Sequence, residues 1–503
     1  MSFQSEIRHS ETEDLFEKVR DKKYGKYLLK ITIDKARSFS EKTINFDFPV
    51  TALVGPNGGG KTTILGAAAI AYKSVKPGRF FAKSGRFDAS MKNWKFEYEL
   101  IDRDSKKTDL IRRSASFSNL KWYRDGAARE VAIFGVSRTV PATERPEMKR
   151  FAAGKFDARA DQIAEIPKDA AEAIAKILDK DFSQFKFIKM DYRGRVTLLA
   201  GQTAKGDAYS EFHFGAGESS IIRMIVQLET MPDNSLILIE EIENGLHPVA
   251  TIRLVEHLID LARRKKIQAI FTTHSNDALA PLPSKAIWAS VNGELYQGKL
   301  DISSLRAING TIDARLAIFV EDEFAKSWVH EILRSDQAIA MDAIGVHVMD
   351  GDGLAVRVHT NHNLNPAIST PSVCIIDGDS EQKEDENLYI YRLPGDKPER
   401  YVFNKILSNI DDLSPQLTLA LLRPYEEHER VKNMVVSAAN TTRDGHIFFS
   451  KIGKGLGFIS EARVREAFLA TWAAAYPEEP RALLDKFRGM IPVESTMTNL
   501  AAM

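Results

Sequence analysis

The sequence lacks the features that mark secreted and membrane proteins. Of its 503 residues one is a cysteine, Cys374, so no disulfide framework can form within the chain, and a reducing cytoplasm is the expected location. No apolar run reaches about 18 residues, and we therefore predict no membrane span and no membrane partner. The N-terminus is polar and mixed in charge, without the apolar region of a signal peptide.

The chain also has no formal net charge at pH 7. The 69 basic residues balance 69 acidic ones, so total charge neither favours nor excludes a nucleic-acid partner. The length favours two or three domains, and a 44% hydrophobic content can bury a sizeable core. Between Lys73 and Lys95, basic and aromatic residues are interleaved. This pattern is compatible with nucleic-acid contact, but we favour a solvated loop and a strand edge beside the core.

The chemistry that is present begins at a glycine-rich loop. Residues 55–62 match the G-x-x-x-x-G-K-[ST] pattern, between a predicted strand at 50–54 and a predicted helix at 62–72. Backbone N–H groups and the helix N-terminus would hold phosphate oxygens. Lys61 is expected on the β- and γ-phosphates, and Thr62 on Mg²⁺ through its hydroxyl. The predicted nucleotide contacts in this loop are Gly55, Pro56, Asn57, Gly58, Gly59, Gly60, Lys61, Thr62 and Thr63.

A second part of an ATPase site is predicted further along the chain. The apolar run Leu236–Ile239 ends in two carboxylates, Glu240 and Glu241. In an ATPase the first supports the Mg²⁺ shell and the second polarises the water that attacks the γ-phosphate. The alternative, a buried strand with a surface acidic pair, is disfavoured by the preceding phosphate loop. A further strand at 267–273 ends at His274, which we expect to contact the γ-phosphate or the attacking water.

Four motifs in this order resemble the ABC-type ATPase head of structural-maintenance and RecF-like DNA proteins. They are the phosphate loop, residues 214–218, the acidic pair with residues 243–248, and residues 272–275. The acidic pair followed by Leu-His-Pro, and then Thr-Thr-His-Ser, is most similar to the OLD (overcoming lysogenization defect) family. The resemblance implies that two heads sandwich ATP, with Gly217 and Glu218 closing on the phosphate loop of a second subunit.

The same resemblance implies individual roles for the acidic pair and the histidine. Glu240 would be the Walker B carboxylate, Glu241 the general base and His274 the switch histidine. Two departures stand out. Gly215 occupies the place where the family's signature offers a serine hydroxyl to the γ-phosphate, and no glutamine can be assigned to the Q-loop.

A second candidate site follows in a compact α/β pattern. Apolar strands predicted at 316–320, 346–349 and 373–376 are separated by helix or loop, which favours a small parallel sheet. Ligands gather at the carboxyl ends of such strands. Carboxylates there suit Mg²⁺ or Mn²⁺, which can promote phosphodiester cleavage. The alternative is turn and cap chemistry, for which Asp-Gly-Asp is common. The carboxylates expected at this edge are Glu321, Asp377 and Asp379.

This order of strands and acids resembles a TOPRIM domain, which OLD-family nucleases carry directly after the ATPase head. The resemblance implies metal-dependent DNA cleavage with Glu321, Asp377 and Asp379 in the metal site. Here too the chain departs from the pattern. Asp322 replaces the usual glycine, and Ala325 stands where an acid is expected, so Asp322 or Glu323 would have to substitute.

Other residues near this site are weaker candidates. Glu399 is a further candidate metal ligand, and Lys454 could stabilise the charge that develops during cleavage, although a surface lysine is the commoner outcome. Asp350 and Asp352 are predicted to be turn residues.

The predicted fold class is α/β, in three parts. An ABC-type P-loop ATPase head is expected at 1–310 with an insertion at about 139–205, a TOPRIM core at 311–402, and a helical region at 403–503. The function that the resemblance implies is an ATP-hydrolysing DNA endonuclease that uses ATP and Mg²⁺ or Mn²⁺. DNA and a second copy of the chain are the expected partners.

The resemblance also implies a biological setting and leaves alternatives open. Related proteins serve in bacterial anti-phage defence, including Gabija-like and retron-associated systems, where a protein or nucleoprotein partner could restrain the nuclease. One alternative is a RecF-like repair ATPase without cleavage, which Ala325 favours. Another is an ATP-switched scaffold that recruits a separate effector, which Gly215 favours.

Overall fold

A computed structural model of the chain falls into two units, Met1–Gln297 and Gly298–Met503, which are described separately. The residues that it describes are 7–82, 91–152, 158–182, 184–191, 194, 196–202, 206, 208–291, 293–298, 314–349, 353–365, 368–442 and 447–493. Within those residues no helix is both long and apolar enough to cross a membrane.

The first unit contains both helices and strands. The helices are α1 (His9–Arg20), α2 (Lys61–Ile70), α3 (Lys149–Ala152), α4 (Lys168–Leu178), α5 (Ala216–Thr230), α6 (Pro248–Lys265) and α7 (Asn276–Leu279). The strands are β1 (Lys26–Ala36), β2 (Phe39–Asn45), β3 (Val50–Val54), β4 (Trp94–Asp102), β5 (Ile111–Ser118), β6 (Lys121–Arg124), β7 (Val131–Phe134), β8 (Ile163–Glu165), β9 (Lys186–Lys189), β10 (Thr197–Gln202), β11 (Ala208–Ser210), β12 (Leu236–Ile239), β13 (Gln268–Thr272), β14 (Ile287–Val291) and β15 (Glu294–Gln297).

A six-stranded sheet with the order β15-β14-β3-β13-β12-β7 forms the centre of this unit. Its strands pair in parallel except for β15, which pairs antiparallel with β14. Strands β3, β12 and β13 are buried along their whole length, as their mostly apolar sequences predict for strands covered on both faces. Because these three strands run in parallel, the loops that follow them meet at one edge of the sheet.

The first unit also contains an antiparallel sheet with the order β2-β1-β4-β5-β6. Strands β1 and β2 pair as an antiparallel hairpin. Phe81 and Trp94, from the basic and aromatic segment, are buried and pack edge to face, with their ring centroids 5.8 Å apart. These aromatic rings therefore belong to the core, as the favoured interpretation expects, while residues 83–90 lie outside the described part.

The insertion forms a small antiparallel sheet of its own with the order β11-β10-β9-β8. Strand β11 pairs with β10, with Ser210 opposite Ala200, so the inserted structure continues to residue 210.

Glu211 ties this inserted sheet to helix α5. Its carboxylate accepts hydrogen bonds from Ser219 Oγ at 2.6 Å and from the backbone N–H of Leu199 at 3.0 Å, and it pairs with Arg223 and Arg145. Burial acts to raise the pKa of Glu211, but Arg223 above all, with Ser219 and Leu199, lowers it to about 2. The Glu211 carboxylate is therefore ionised in the folded protein at neutral pH.

We expect Glu211→Gln to destabilise the first unit by about 3–5 kcal/mol, since it leaves two partly buried guanidinium groups without their counter-charge. A depressed folded pKa contributes stability above the unfolded value, and this contribution is lost as pH falls from about 4.5 towards 2. The deficit should therefore be large at pH 7 and clearly smaller near pH 3 in thermal unfolding of the full chain. Exposed Glu147→Gln is the control, and equal deficits at both pH values would contradict the prediction.

The second unit contains a parallel sheet followed by helices. Its helices are α8 (Glu323–Arg334), α9 (Leu354–Leu364), α10 (Pro398–Ser408), α11 (Ile410–Ala420), α12 (His428–Thr441), α13 (Phe448–Gly455), α14 (Glu461–Ala475) and α15 (Glu478–Phe487). Its strands are β16 (Leu316–Val320), β17 (Ile344–Val348), β18 (Ser372–Ile376) and β19 (Ile390–Arg392).

The sheet of the second unit has the order β17-β16-β18-β19, and every neighbouring pair is parallel. The predicted small parallel sheet is confirmed, while β19, with three residues, was missed. One hydrophobic core joins this sheet to the C-terminal helices, with Val320, Trp328, Phe403 and Trp472 among its members. The parallel arrangement places the residues after β16 and β18 at one edge.

Candidate functional site

The phosphate loop has the backbone shape that its glycines predict. Gly55 has φ 144° and Gly60 has φ 100°, values that L side chains rarely adopt. A Cβ atom on Gly55 would overlap the carbonyl oxygen of Ser290, and one on Gly60 would overlap the ring of Phe39. The loop is thus packed closely against neighbouring chain before it enters α2.

Lys61 lies over this loop. Its Nζ donates to the carbonyl oxygens of Gly55 at 2.7 Å and Pro56 at 3.0 Å. Burial lowers the pKa of Lys61 to about 8, while the charges of Glu241 and Glu243 act in the opposite direction. The Lys61 cation therefore interacts electrostatically with Glu241 and Glu243.

A cavity of about 310 Å³ joins the predicted parts of the nucleotide site. It is lined by Arg37, Ser38, Pro56, Asn57, Gly58, Gly59, Gly60, Lys61, Thr62, Thr63, Val136, Glu240, Glu241, Thr272 and His274. The phosphate loop, both carboxylates and the histidine are thus brought together, as expected from motifs on β3, β12 and β13. Gly55 shapes the loop without lining the cavity.

Sequence reasoning missed Arg37, Ser38 and Val136 among the residues that line this cavity. Arg37 and Ser38 lie in the turn between β1 and β2, and Arg37 Nη1 donates to Thr63 Oγ1 at 2.9 Å. The Thr63 hydroxyl therefore accepts a hydrogen bond from within the protein. On the side of β7 the cavity is lined by Val136, and no glutamine is among its lining residues.

The backbone of the acidic pair has an unusual conformation, which a hydrogen bond from a neighbouring strand supports. Glu241 has φ 45°, which is unusual for a residue other than glycine. Its backbone N–H donates to Thr272 Oγ1 at 2.8 Å. Glu243, for which no role was predicted, accepts from Thr273 Oγ1 and from the backbone N–H of His274, each at 2.7 Å.

His274 is exposed at the edge of the cavity. Burial and then the charge of Lys61 lower its pKa, against the opposing effect of Glu243 and Glu241. A neutral imidazole at this place can accept or donate a hydrogen bond near bound phosphate.

The signature residues 214–218 do not line the cavity of their own chain. They lead into α5, and Glu218 pairs with Lys180 of the insertion at 3.2 Å. Gly217 lies so close to Gly245, in the turn after the acidic pair, that a Cβ would overlap the carbonyl oxygen of Gly245. The start of α5 is therefore in backbone contact with the turn that follows Glu241.

We expect Gly217→Ala to destabilise the first unit by about 1–3 kcal/mol, because a backbone oxygen cannot rotate out of the way. Gly215→Ala is the matched control: it has φ −63° and nothing within 4 Å of its added Cβ, so its effect should stay within about 0.5 kcal/mol. Denaturant unfolding of both variants measures the difference, and similar losses of stability would count against the close approach.

In the second unit, carboxylates converge at the carboxyl edge of the parallel sheet. Asp377, directly after β18, is 8% exposed, and its Oδ1 is buried without a hydrogen-bond partner. Burial raises the pKa of Asp377 to about 8, and four further carboxylates raise it as well. In decreasing order of effect these are Asp322, Glu321, Asp379 and Glu399. The residues predicted to meet here are thus electrostatically coupled.

Each carboxylate of this cluster has a different environment. Glu321 accepts a hydrogen bond from Ser380 Oγ at 2.6 Å. Asp322 caps α8 by accepting from the backbone N–H of Ala325 at 2.7 Å, and burial raises its pKa. Glu399 is 6% exposed in the first turn of α10, whereas Asp379 is exposed.

Arg392 shapes the loop that carries Asp377 and Asp379. Its guanidinium donates to the carbonyl oxygens of Asp377 at 2.8 Å, Gly378 at 2.9 Å and Ser380 at 3.0 Å, and also to that of Gln382. The residue lies at the end of β19, the strand that the sequence pattern did not reveal.

The fit of a metal to this cluster is partial. Oxygen-only ligands and an unpartnered buried carboxylate oxygen suit Mg²⁺ or Mn²⁺. In the described part of the chain, however, no three His, Cys, Asp or Glu residues are arranged as a ready metal site. Asp350 and Asp352 lie outside the described residues.

Two other candidates do not join the cluster. Lys454 is exposed on α13, and it is not among the charges with the main effects on the Asp377 pKa. Of the two possible substitutes for an acid at Ala325, Asp322 belongs to the cluster, while Glu323 is exposed in the first turn of α8.

Comparisons with known proteins concern the first unit. The family model described as "AAA domain, putative AbiEii toxin, Type IV TA system" matches residues 50–280, less than half of the chain. No curated protein matches.

Several solved structures are distantly similar to this chain. The SMC head domain from Thermotoga maritima is 14% identical, with a TM-score of 0.35, over 54% of this chain and 99% of that one. The Smc head with an extended coiled coil, bound to the C-terminal domain of ScpA from Pyrococcus furiosus, is 12% identical, with a TM-score of 0.38, over 54% and 95%. The recombination mediator RecF with ATP is 10% identical, with a TM-score of 0.36, over 55% and 99%.

Proposed function

We propose that this protein is an ATP-hydrolysing, divalent-metal-dependent DNA endonuclease of the OLD type, with the ATPase in the first unit and the nuclease in the second. The observation that carries the nuclease is Asp377, a buried carboxylate with an unpartnered oxygen among four other carboxylates. Buried carboxylates that repel one another are costly unless a proton or a cation compensates them. A TOPRIM-like nuclease would use this arrangement of carboxylates to bind a divalent cation.

The cluster would bind the cation through Glu321, Asp377, Asp379 and Glu399. When bound, a divalent cation supplies an activated water and stabilises the charge that develops at the scissile phosphate. The protein's part is to hold these carboxylates in place. Ser380 orients Glu321, and Arg392 fixes the loop that carries both aspartates.

The ATPase half of the proposal follows from the 310 Å³ cavity. The phosphate loop and Lys61 would hold the phosphates, Thr62 and Glu240 would support Mg²⁺, and Glu241 would take a proton from the attacking water. Gly217 and Glu218 lie outside this cavity in their own chain. A homodimer in which they close on the partner's phosphate loop would complete the site.

The proposed biological role is anti-phage defence. The matched family model names a putative toxin of a type IV system, and a nuclease restrained by a protein or nucleoprotein partner is compatible with that name. DNA is the proposed substrate, and ATP binding would control access to the second unit's site.

The experiment is a plasmid cleavage assay with the full-length protein. Supercoiled DNA is incubated with Mg²⁺ or Mn²⁺, with and without ATP, and with EDTA as the control. We expect nicked or linear products only when a divalent cation is present. Intact plasmid under every condition, including with candidate partners present, would rule out the nuclease.

A second candidate function is a RecF-like DNA-repair ATPase without cleavage. The favouring observation is Ala325, which is buried, while the neighbouring Asp322 is used as a helix cap. This alternative predicts ATP hydrolysis without DNA cleavage. It also predicts DNA binding that, in the absence of ATP, is not affected by EDTA. The same plasmid assay, followed by electrophoretic mobility shifts, separates the two functions.

A further inference from the structure

A side chain outside the four motifs holds the main chain of the acidic pair. Arg138 lies in the segment after β7, the strand that pairs with β12. Its Nη1 donates to the carbonyl oxygen of Glu240, and its Nη2 to that of Glu241, each at 2.6 Å. Because the guanidinium is planar and its donors are fixed relative to one another, it holds two successive peptide groups together.

Glu241 needs this support. Its φ of 45° lies in the left-handed region, which a glutamate occupies only when its surroundings enforce it. Thr272 on β13 holds the amide side of the residue through its hydroxyl, at 2.8 Å, and Arg138 holds the carbonyl side. The two contacts together fix the direction in which the Glu241 side chain leaves the backbone.

Arg138 acts on the acidic pair and not on the nucleotide. It is absent from the residues that line the nucleotide cavity, whereas Glu241 and Thr272 both line it. Arg138 also donates to the backbone carbonyl oxygens of Gly135 and Ile242. A partly buried cation whose hydrogen bonds go to main-chain oxygens beside a proposed catalytic carboxylate has a positioning role.

We propose that Arg138, together with Thr272, is a positioning residue that aims Glu241 at the water attacking the γ-phosphate. This inference rests on the proposed function, because it needs Glu241 as the general base. Misplacing a reacting group by about 1 Å can cost about 100-fold in rate. The effect should therefore fall on turnover and not on nucleotide affinity.

The test compares Arg138→Gln and Arg138→Lys with wild type in steady-state ATP hydrolysis and in binding of a non-hydrolysable ATP analogue. We expect kcat to fall by about 10–100-fold in Arg138→Gln, while the analogue's Kd changes by less than about threefold. Arg138→Lys should be intermediate, since an ammonium cannot reproduce the two parallel bonds. Arg112→Gln, on a side chain that is 86% exposed, is the control.

A second pair of variants keeps the test decisive if Arg138→Gln folds poorly. Thr272→Val removes the hydroxyl that accepts from Glu241 and nearly keeps the shape, so it should lower kcat in the same selective way. Thr272→Ser keeps the hydroxyl and should retain turnover. Normal turnover in Thr272→Val would overturn the proposal.

Combination with Glu241→Gln distinguishes positioning from general structural damage. If Arg138 acts through Glu241, adding Arg138→Gln to Glu241→Gln should cause little further loss of turnover. A full multiplicative loss, or unchanged kcat in Arg138→Gln alone, would overturn the proposal. Wild-type protein without ATP hydrolysis would instead contradict the proposed ATPase, which is a separate outcome.

Discussion

Asp377→Asn should abolish metal-dependent DNA cleavage, with a loss of more than about 100-fold, since even the outer partners of a metal site often contribute about 10–100-fold. The substitution keeps the shape of the side chain and removes a charge that a divalent cation would need. Plasmid nicking with Mg²⁺ and with Mn²⁺ measures the effect. Asp342→Asn, an exposed acid of the same unit, should cut like wild type.

Stability gives an independent view of the same substitution. Without metal, Asp377 is a buried carboxylate among like charges, so Asp377→Asn should unfold at a higher temperature than wild type. Mg²⁺ should then raise the unfolding temperature of the wild type more than that of the variant, because ligand binding to the folded state stabilises it. A lower unfolding temperature for metal-free Asp377→Asn would show that the carboxylate is structural.

The pH dependence of this difference follows from the raised pKa. A group whose folded pKa is raised contributes its stability below the unfolded pKa, and loses it as pH rises through the folded value of about 8. The metal-free wild type should therefore lose stability relative to Asp377→Asn as pH rises from about 4 to about 8, with little further loss above that. Over the same range its affinity for Mg²⁺ should rise, because the cation and the proton compete for one carboxylate.

Glu241→Gln should reduce ATP turnover by about 10²–10⁴-fold, the range typical of a general base. Nucleotide binding should persist, because the phosphate loop and Lys61 are untouched. If two heads enclose ATP, the variant should also accumulate as an ATP-dependent dimer, which light scattering detects. Unchanged hydrolysis would remove Glu241 as the base.

Glu240→Gln is the informative comparison for that variant. Its carboxylate is assigned to the Mg²⁺ shell, so its loss should raise the Mg²⁺ concentration needed for half-maximal turnover. Glu241→Gln should leave that concentration close to the wild-type value. Identical Mg²⁺ dependence in the two variants would mean that the acidic pair does not divide its roles as proposed.

The central strands could be predicted from the sequence because they are mostly apolar runs, and each is followed by a functional motif. Val50–Val54, Leu236–Ile239 and the strand before His274 each precede a motif, and parallel pairing then brings the three motifs to one edge. The small sheet of the second unit was predictable for the same reason.

The features that the sequence did not predict are short strands and side chains that hydrogen-bond to the main chain. Strands β11 and β19 have three residues each, too few for a periodic pattern. Arg138 and Arg392 act on backbone carbonyls, and no spacing rule marks an arginine for that role. Arg37 reaches the nucleotide cavity only because the hairpin turn folds towards the phosphate loop.

The hydrogen bonds of Arg392 have a consequence for how this protein can change over evolution. They fix the path of residues 377–382 through main-chain oxygens, so the course of the loop does not depend on most of the side chains that it carries. Positions such as Glu381 and Gln382 are therefore free to vary while the aspartates stay in place. One conserved anchor would let related enzymes diversify the surface beside a constant cluster of carboxylates.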